Sequence, residues 1–133
     1  MKNIFLIAIF VFNILTSSAQ QNKLVSGPWA GNVGIRTATI WAEVSPAVKK
    51  VSVKYISEKT GSIAKVVFCK TVLGNDFNPV KIVLNGLDFN TTYNYKLFVD
   101  DKEITTDFIT KFTTQDLWQY RKPAPDFSFL AGR

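Results

Sequence analysis

The sequence has no histidine and only one cysteine, Cys69, among its 133 residues. Histidine is the general base of the common catalytic triads, and histidine and cysteine are the usual ligands of zinc and haem. The chain therefore lacks the set of side chains that those enzyme chemistries use. We therefore predict no catalytic, cofactor-binding or metal-binding residue within this chain. Arginine is scarce as well, and occurs only at positions 36, 121 and 133. Because nucleic-acid surfaces typically cluster arginines beside exposed aromatic residues, this scarcity argues against a nucleic-acid partner.

The sequence also lacks an apolar run long enough to cross a membrane. Its longest run, residues 4–12, is shorter than the roughly 20 residues that a spanning helix needs. The run follows Lys2 and precedes small residues at positions 16–19, which is the pattern of a secretory signal peptide. We predict that residues 1–19 are removed and that the mature protein starts at Gln20, secreted or periplasmic and free of the membrane. A buried helix or a retained anchor is the alternative.

The remaining composition is that of one folded domain with a mildly basic surface. Hydrophobic residues make up 47% of the chain and charged residues 20%, and the net charge is +6 before Lys2 is lost with the leader. Several lysines alternate with apolar residues along apparent strands, which is typical of a solvated sheet face and of protected strand edges. These lysines are Lys49, Lys50, Lys54, Lys59, Lys65, Lys70 and Lys81.

Cys69 stands in a strand-like run, residues 65–70. Exported proteins rarely keep an exposed free thiol, so we expect Cys69 to be buried and inert. Pairing with a cysteine of another molecule is the alternative.

Residues 20–114 carry the signals of β-structure throughout. Short runs rich in β-branched and aromatic residues alternate with turn residues, and no stretch has helical periodicity. Seven strands are predicted, at residues 24–26, 33–44, 50–57, 64–72, 79–87, 92–100 and 108–114. Apolar residues alternate clearly with polar ones in the third and sixth of these runs, whereas Trp41 and Ala42 leave the inward face of the second ambiguous. The pattern predicts an all-β, antiparallel sandwich of two sheets.

Two features of the sequence relate the predicted sandwich to a known kind of β-module. Tyr93 begins a strand a few residues after Leu87 and a turn, which resembles the tyrosine corner, where the ring closes one end of a sandwich and its hydroxyl bonds to nearby backbone. Trp41 stands in the middle of an early strand. Together they resemble a fibronectin type III or immunoglobulin-like module.

Residues 115–133 differ in character from the rest of the chain. Trp118 and Tyr120 are followed by prolines at 123 and 125 and then by the apolar residues 127–132. Prolines favour an extended linker, and an apolar segment after it has no strand left in the sandwich to pair with. We expect an extended tail of a linker and the first strand of a further domain, loose or aggregation-prone by itself; folding back onto a sheet edge is the alternative.

The order of these segments resembles the N-terminal portion of a PhoD-like alkaline phosphatase. The resemblance rests on residues 25–31, the Trp41 strand, the aromatic linker at 119–121 and the closing Phe-Ser-Phe-Leu-Ala-Gly of 127–132. The last of these is the stronger pointer, because purple acid phosphatases and other enzymes carry similar leading domains. The resemblance implies an exported hydrolase whose fibronectin-like domain precedes a metallophosphoesterase domain.

That resemblance also implies where the chemistry lies. The family's divalent or trivalent metal ions and its catalytic residues are expected in the metallophosphoesterase domain, which would be the partner of this one. None of those residues has a counterpart here, and Arg133 stands where the family has a serine. We therefore expect a chain that ends before the catalytic domain and has no phosphatase activity of its own; a fragment, a frameshift and a genuine truncation are the alternatives for its end.

Three smaller signals point to other functions. Asp100, Asp101 and Glu103 could offer oxygen ligands to calcium, but the further ligands of a calcium-binding loop are missing, so a solvated acidic turn is expected. Asn90 fits a glycosylation acceptor, although its turn position is sufficient to explain it. The alternative function is a free-standing adhesive or carbohydrate-binding sandwich that uses Trp29 and Trp118 as stacking platforms.

Overall fold

The computed structural model describes residues 23–74, 76–117, 123 and 128. Within these residues the chain is all β, and no helix is long and apolar enough to cross a membrane. The strands are β1 (Leu24–Gly31), β2 (Thr37–Val44), β3 (Val51–Ser57), β4 (Lys65–Phe68), β5 (Asn78–Asn85), β6 (Thr92–Val99), β7 (Lys102–Glu103) and β8 (Lys111–Thr113). The predicted signal peptide, residues 1–19, lies outside the described residues, as does the tail from Trp118 onward apart from positions 123 and 128.

The strands form two antiparallel sheets that pack face to face. The smaller sheet has the order β1-β2-β5, and the larger has the order β4-β3-β6-β7 with β8 also paired to β6. The prediction of an all-β, fibronectin type III-like sandwich is confirmed. The predicted strand count differs by one, because the two-residue strand β7 precedes β8 on the same edge of β6.

Alternating side chains from both sheets form the core. The inward residues of β2 and β5 face those of β3 and β6, and nearly all are fully buried, which is how two half-solvated sheets share one apolar layer. Ala42 is only 1% exposed, so Trp41 points outward and the ambiguity in β2 is settled. The core consists of Ala38, Ile40, Ala42, Val44, Val48, Val51, Val53, Tyr55, Val80, Ile82, Leu84, Leu87, Tyr93, Tyr95, Leu97, Val99 and Phe112.

Strand β1 is longer than predicted. The expectation ended it at Ser26, but β1 continues through Gly27 and Pro28 to Gly31 with two register shifts against β2. An edge strand tolerates proline, and Gly27 has a φ of +90° that a residue with a side chain rarely adopts. The Gly27–Pro28 peptide bond is cis. Strand β1 is therefore paired with β2 along most of its length in spite of these irregularities.

Three other predicted strands are shorter than expected. The second begins at Thr37 because the Gly34 N–H donates to the Thr37 carbonyl in a turn, at 2.8 Å. The fourth is only β4, Lys65–Phe68, and the last is only β8, because residues 104–110 leave the edge of β6 between two closing hydrogen bonds. All seven lysines predicted to lie on solvated faces are exposed.

The tyrosine corner closes one end of the sandwich. The Asp88 backbone N–H donates to the Tyr93 hydroxyl at 2.9 Å, five residues back along the chain. The Tyr93 ring is buried and lies 5.6 Å from the Phe112 ring. Thr114 ties the same end together, because its hydroxyl donates to the Asp88 carbonyl at 2.6 Å and accepts from the Thr91 N–H at 3.0 Å. The crossover from β5 to β6 is thereby fixed as the sequence predicted.

Candidate functional site

A stacked pair of tryptophans lies on the outer face of the smaller sheet. Trp29 on β1 and Trp41 on β2 are direct partners in the strand register. Both side chains point away from the core, because Ile40 and Ala42 on either side of Trp41 are buried inward. The two ring centroids are 5.1 Å apart and the ring planes differ by 2°, so one face of each indole covers the other.

Trp29 is the accessible member of this pair. It is 52% exposed, whereas Trp41 is half-buried. Trp29 belongs to the edge strand of its sheet, so no further strand among the described residues lies beside the second face of its ring. Gly31, two residues along β1, adds no side chain, and a Cβ built there meets nothing within 4 Å. One indole face is therefore open to solvent at the edge of the sheet.

Three polar side chains neighbour Trp41 on the same face of the sheet. Lys81 on β5 is the direct register partner of Trp41. Thr39 and Glu43 lie two residues to either side of Trp41, about 7 Å along the strand. Among the described residues, neither the Glu43 carboxylate nor the Lys81 ammonium has an ion-pair partner. These polar groups therefore lie beside Trp41 on β2 and β5, and not on the open side of Trp29 at the β1 edge.

The sequence indicated only half of this arrangement. Trp29 was predicted as a stacking platform and is exposed, but its predicted companion, Trp118, lies outside the described residues. The true companion is Trp41, which the sequence did not assign to a face. The alternation of the apolar residues Ala38, Ile40, Ala42 and Val44 with the polar residues Thr39 and Glu43 was the available signal for the outward position of Trp41. The contact with Trp29 could be predicted only if β1 was known to continue beyond Ser26.

The Asp100 carboxylate holds together the end of the sandwich that lies opposite the tyrosine corner. Asp100 and Asp101 both have positive φ, 46° and 64°, in the two-residue turn between β6 and β7. The Asp100 carboxylate accepts from the backbone N–H groups of Lys49 and Lys50, both at 3.0 Å, and from the Lys23 ammonium at 2.5 Å. The Lys23 hydrogen bond, and then the two backbone N–H groups, hold the pKa of Asp100 below its ordinary value although partial burial opposes them.

This arrangement changes the expectation for the acidic turn. Asp100 was expected to be merely solvated, but it joins the β6–β7 turn to Lys23, just before β1, and to Lys49 and Lys50, just before β3. Glu103 pairs with Lys96 at 2.7 Å, and Asp101 pairs with Lys50 at 2.8 Å. In the part of the chain that the structure describes, no group of three or more histidine, cysteine, aspartate or glutamate side chains could hold a metal ion.

Cys69 is only partly buried, so the expectation of full burial is corrected. It follows the end of β4, which is a four-residue strand at the edge of the larger sheet. Its sulfur accepts a hydrogen bond from the Thr71 N–H at 3.3 Å, while the side chain packs against the core from the rim. The edge position explains the partial exposure, because no other described strand flanks β4 on its outer side.

A groove of about 410 Å³ lies where residues 104–110 leave β6. Tyr95 lines it, and the Tyr95 hydroxyl donates to the Pro28 carbonyl across the two sheets at 3.2 Å. Burial raises the pKa of Tyr95 above its ordinary value, although the hydrogen bond with the Ala30 backbone opposes the shift. The walls contribute threonine hydroxyls, Phe108 and Ile109, together with Lys96 and Glu103, which are paired to each other. This set provides shape and apolar contact rather than a nucleophile with its base.

Comparison with known proteins identifies the fold. No protein-family model and no curated protein matches the sequence. The sensor domain of the anti-sigma factor RsgI4 in Pseudobacteroides cellulosolvens aligns with a TM-score of 0.55 and 17% identity over 75% of this chain and 100% of that one. A computationally redesigned β-sandwich protein gives a TM-score of 0.51 and 18% identity over 70% and 95%. A fibronectin type III domain derived from human KIAA0970 protein is 18% identical over 86% and 89%, with a TM-score of 0.46. The first two of these likenesses show a β-sandwich fold.

Proposed function

We propose that this chain is the non-catalytic N-terminal domain of a secreted or periplasmic PhoD-like alkaline phosphatase or phosphodiesterase. The observation that supports this most directly is that two segments carrying the resemblance, residues 25–31 and the Trp41 strand, are neighbouring strands of one sheet. Their tryptophans stack on each other in register. A physical contact thus links two parts of the sequence pattern that are separate along the chain.

The attachment of the chain after β8 also supports a role in positioning a following domain. The Gln115 N–H donates to the Gly34 carbonyl at 3.0 Å, and the Gln115 carbonyl accepts from the Asn90 N–H at 3.1 Å. Backbone bonds to loops from both sheets therefore hold the chain one residue beyond Thr114. A domain joined after this point would start from a fixed place at this end of the sandwich instead of from a loose strand.

In this proposal the hydrolytic chemistry belongs to the following metallophosphoesterase domain. Metal ions bound there would activate water and stabilise the charge on the phosphate ester. The described residues of this chain offer no cluster that fits such an ion, so this domain contributes packing and position only.

The reading frame downstream of codon 133 in the genomic DNA tests this proposal. A stretch rich in aspartate and histidine that encodes a metallophosphoesterase domain, in frame or separated by a frameshift, is the expected result. Expression of the joined protein should then yield metal-dependent hydrolysis of p-nitrophenyl phosphate. An authentic stop codon with no such stretch behind it would contradict the proposal and favour a free-standing adhesive or carbohydrate-binding sandwich.

A further inference from the structure

A small cavity lies at the end of the sandwich that the tyrosine corner closes. It has a volume of about 120 Å³, and its wall is formed by side chains of β3, β4 and β6 and by the loops at residues 62–63 and 88. A cavity of this size holds a few water molecules or one small ion. It shares no lining residue with the groove beside residues 104–110, and neither member of the tryptophan pair reaches it.

Tyr55 contributes to the cavity wall a hydroxyl that has no hydrogen bond to any described residue. The Tyr55 side chain is only 5% exposed, and hydroxyls that are buried so far in a protein normally have a partner. The hydroxyl is not sealed in the core, because no fully buried side-chain oxygen or nitrogen of the described residues lacks a partner. It therefore faces the cavity. Burial, and then the neighbouring Tyr93, raise the pKa of Tyr55 above its ordinary value, so its proton is in place at neutral pH.

Ser57 and Tyr93 add two more hydroxyls with an uncommitted proton. The two residues are direct register partners on β3 and β6, and both line the cavity. The Ser57 oxygen accepts from the Lys59 N–H at 3.1 Å, and the Tyr93 oxygen accepts from the Asp88 N–H at 2.9 Å. Neither hydroxyl donates to a described residue, so each can still donate to a ligand.

Lys65 supplies positive charge beside these hydroxyls. It is the register partner of Tyr55 on β4, it lines the cavity, and its ammonium has no ion-pair partner among the described residues. Asp88 also lines the cavity, but its carboxylate lies 3.9 Å from the Lys59 ammonium, which offsets its charge. The cavity thus offers more free donors and more positive charge than it offers acceptors.

We infer that this cavity binds a small tetrahedral oxyanion of the sulfate or phosphate class. Sulfate accepts hydrogen bonds at all of its oxygens, and hydrogen bonds to an ionised acceptor are stronger than those between neutral groups. Three hydroxyls and one ammonium from three different strands suit four oxygens better than the two of a carboxylate. The site takes no part in ester hydrolysis and does not depend on the proposed function.

The experiment titrates the purified chain with sodium sulfate at pH 7, at an ionic strength kept constant with sodium chloride, and follows the backbone amides by NMR. Saturable binding in the low millimolar range is expected, with the largest shifts around Ser57 and Asp88. Tyr55→Phe should weaken binding by about tenfold, because it removes a hydrogen bond to a charged acceptor. Lys65→Gln should weaken binding by about threefold.

Lys54→Gln is the matched control. It removes the same charge from the residue beside Tyr55 in β3, but Lys54 is exposed on the opposite face of the sheet, so this variant should bind sulfate as the wild type does. If Lys54→Gln weakens binding as much as Lys65→Gln, the shifts report general attraction to a basic surface and the inference is wrong. Unchanged affinity in Tyr55→Phe would overturn it too.

Other ligands and an Asp88 variant test the chemical class. Phosphate should bind within a few-fold of sulfate, whereas acetate, with two oxygens and one charge, should bind more weakly. Asp88→Asn should strengthen sulfate binding about twofold, because it removes a negative charge from the lining. Weaker binding in Asp88→Asn, acetate binding as tight as that of sulfate, or no saturable shift up to about 30 mM sulfate would each overturn the inference.

Discussion

At the scale of single residues, Gly27 is the position least able to accept a side chain. A Cβ there would lie 2.8 Å from the Trp41 carbonyl oxygen and 3.0 Å from the Ala42 Cα, both of which are backbone atoms. The φ of +90° adds strain for any residue with a Cβ. The chain must therefore move at Gly27 to accept even a methyl group.

We expect Gly27→Ala to lower the free energy of unfolding by about 2–4 kcal/mol, the sum of backbone strain and overpacking. Urea denaturation followed by circular dichroism measures it. Gly31→Ala is the control on the same strand, because a Cβ at Gly31 meets nothing, and its effect should stay within about 0.5 kcal/mol. Similar losses in both variants would show that the close approach to Trp41 is not the cause.

Asp100 makes the stability of the sandwich depend on acidity. Its pKa is lowered in the fold by the Lys23 hydrogen bond and the Lys49 and Lys50 N–H groups, from an ordinary value of 3.8. A carboxyl group with a depressed pKa contributes stability above its unfolded-state pKa and loses it as the pH falls through the folded-state pKa. The contribution of Asp100 is therefore complete at neutral pH and decreases below about pH 4.

We expect the urea midpoint of Asp100→Asn to depend less on pH between pH 5 and 2.5 than that of the wild type, and to lie below it at pH 7. The Asp101→Asn variant removes a carboxylate from the same turn but disturbs only the exposed pair with Lys50. It should keep the steeper wild-type dependence. If the two variants lose the same pH dependence, the contacts of Asp100 are not its source.

At the scale of elements, the tyrosine corner joins the β5–β6 crossover to the core. Tyr93→Phe leaves the Asp88 N–H without its acceptor at the sandwich end, so we expect a loss of about 1–2 kcal/mol in the free energy of unfolding. Tyr55→Phe is the matched control. Its ring is equally buried, but its hydroxyl makes no hydrogen bond to any described residue, and its loss should be below about 0.5 kcal/mol.

Thermal unfolding of both tyrosine variants measures the difference. Equal shifts of the melting temperature in the two variants would mean that the Tyr93 hydroxyl contributes no more to stability than the Tyr55 hydroxyl does.

The sequence predicted some elements much better than others. Strands β2, β3, β5 and β6 alternate with period two because each has one face in the core, so their existence and most of their bounds followed from pattern alone. Strand β1 did not, since glycine and proline argue for a turn and only an edge position lets a strand continue through them. The interruption between β7 and β8 has no local signal, because it depends on where β6 finds its partners.

The tryptophan platform illustrates the same limit. Stacking of Trp29 on Trp41 depends on the register between two strands, and the two register shifts in β1 determine that register. A shift of one residue would have placed Trp29 on the other face of the sheet. Exposure of Trp29 could be predicted from the sequence, but its partner could not.

At the scale of the whole molecule, the isolated chain should hydrolyse no phosphate ester. Hydrolysis by a metal ion requires a cation in fixed geometry with an open position for water, and the carboxylates Glu43, Glu58, Asp76 and Asp88 lie on separate elements. We expect no turnover of p-nitrophenyl phosphate by the purified chain with zinc, calcium, manganese or iron. Metal-dependent turnover that copurifies with the chain through a second chromatographic step would contradict this.

The chain enters the described sandwich at one end and leaves it at the other. Lys23 is joined to Ser45 and Asp100 beside the β2–β3 loop, whereas Gln115 is joined to Gly34 and Asn90 at the other end. These two ends are therefore separated by about the length of an eight-residue strand, or ~25 Å. A pull between the two ends would run parallel to β1 and β8 and load their ladder hydrogen bonds together in shear, instead of opening them one at a time.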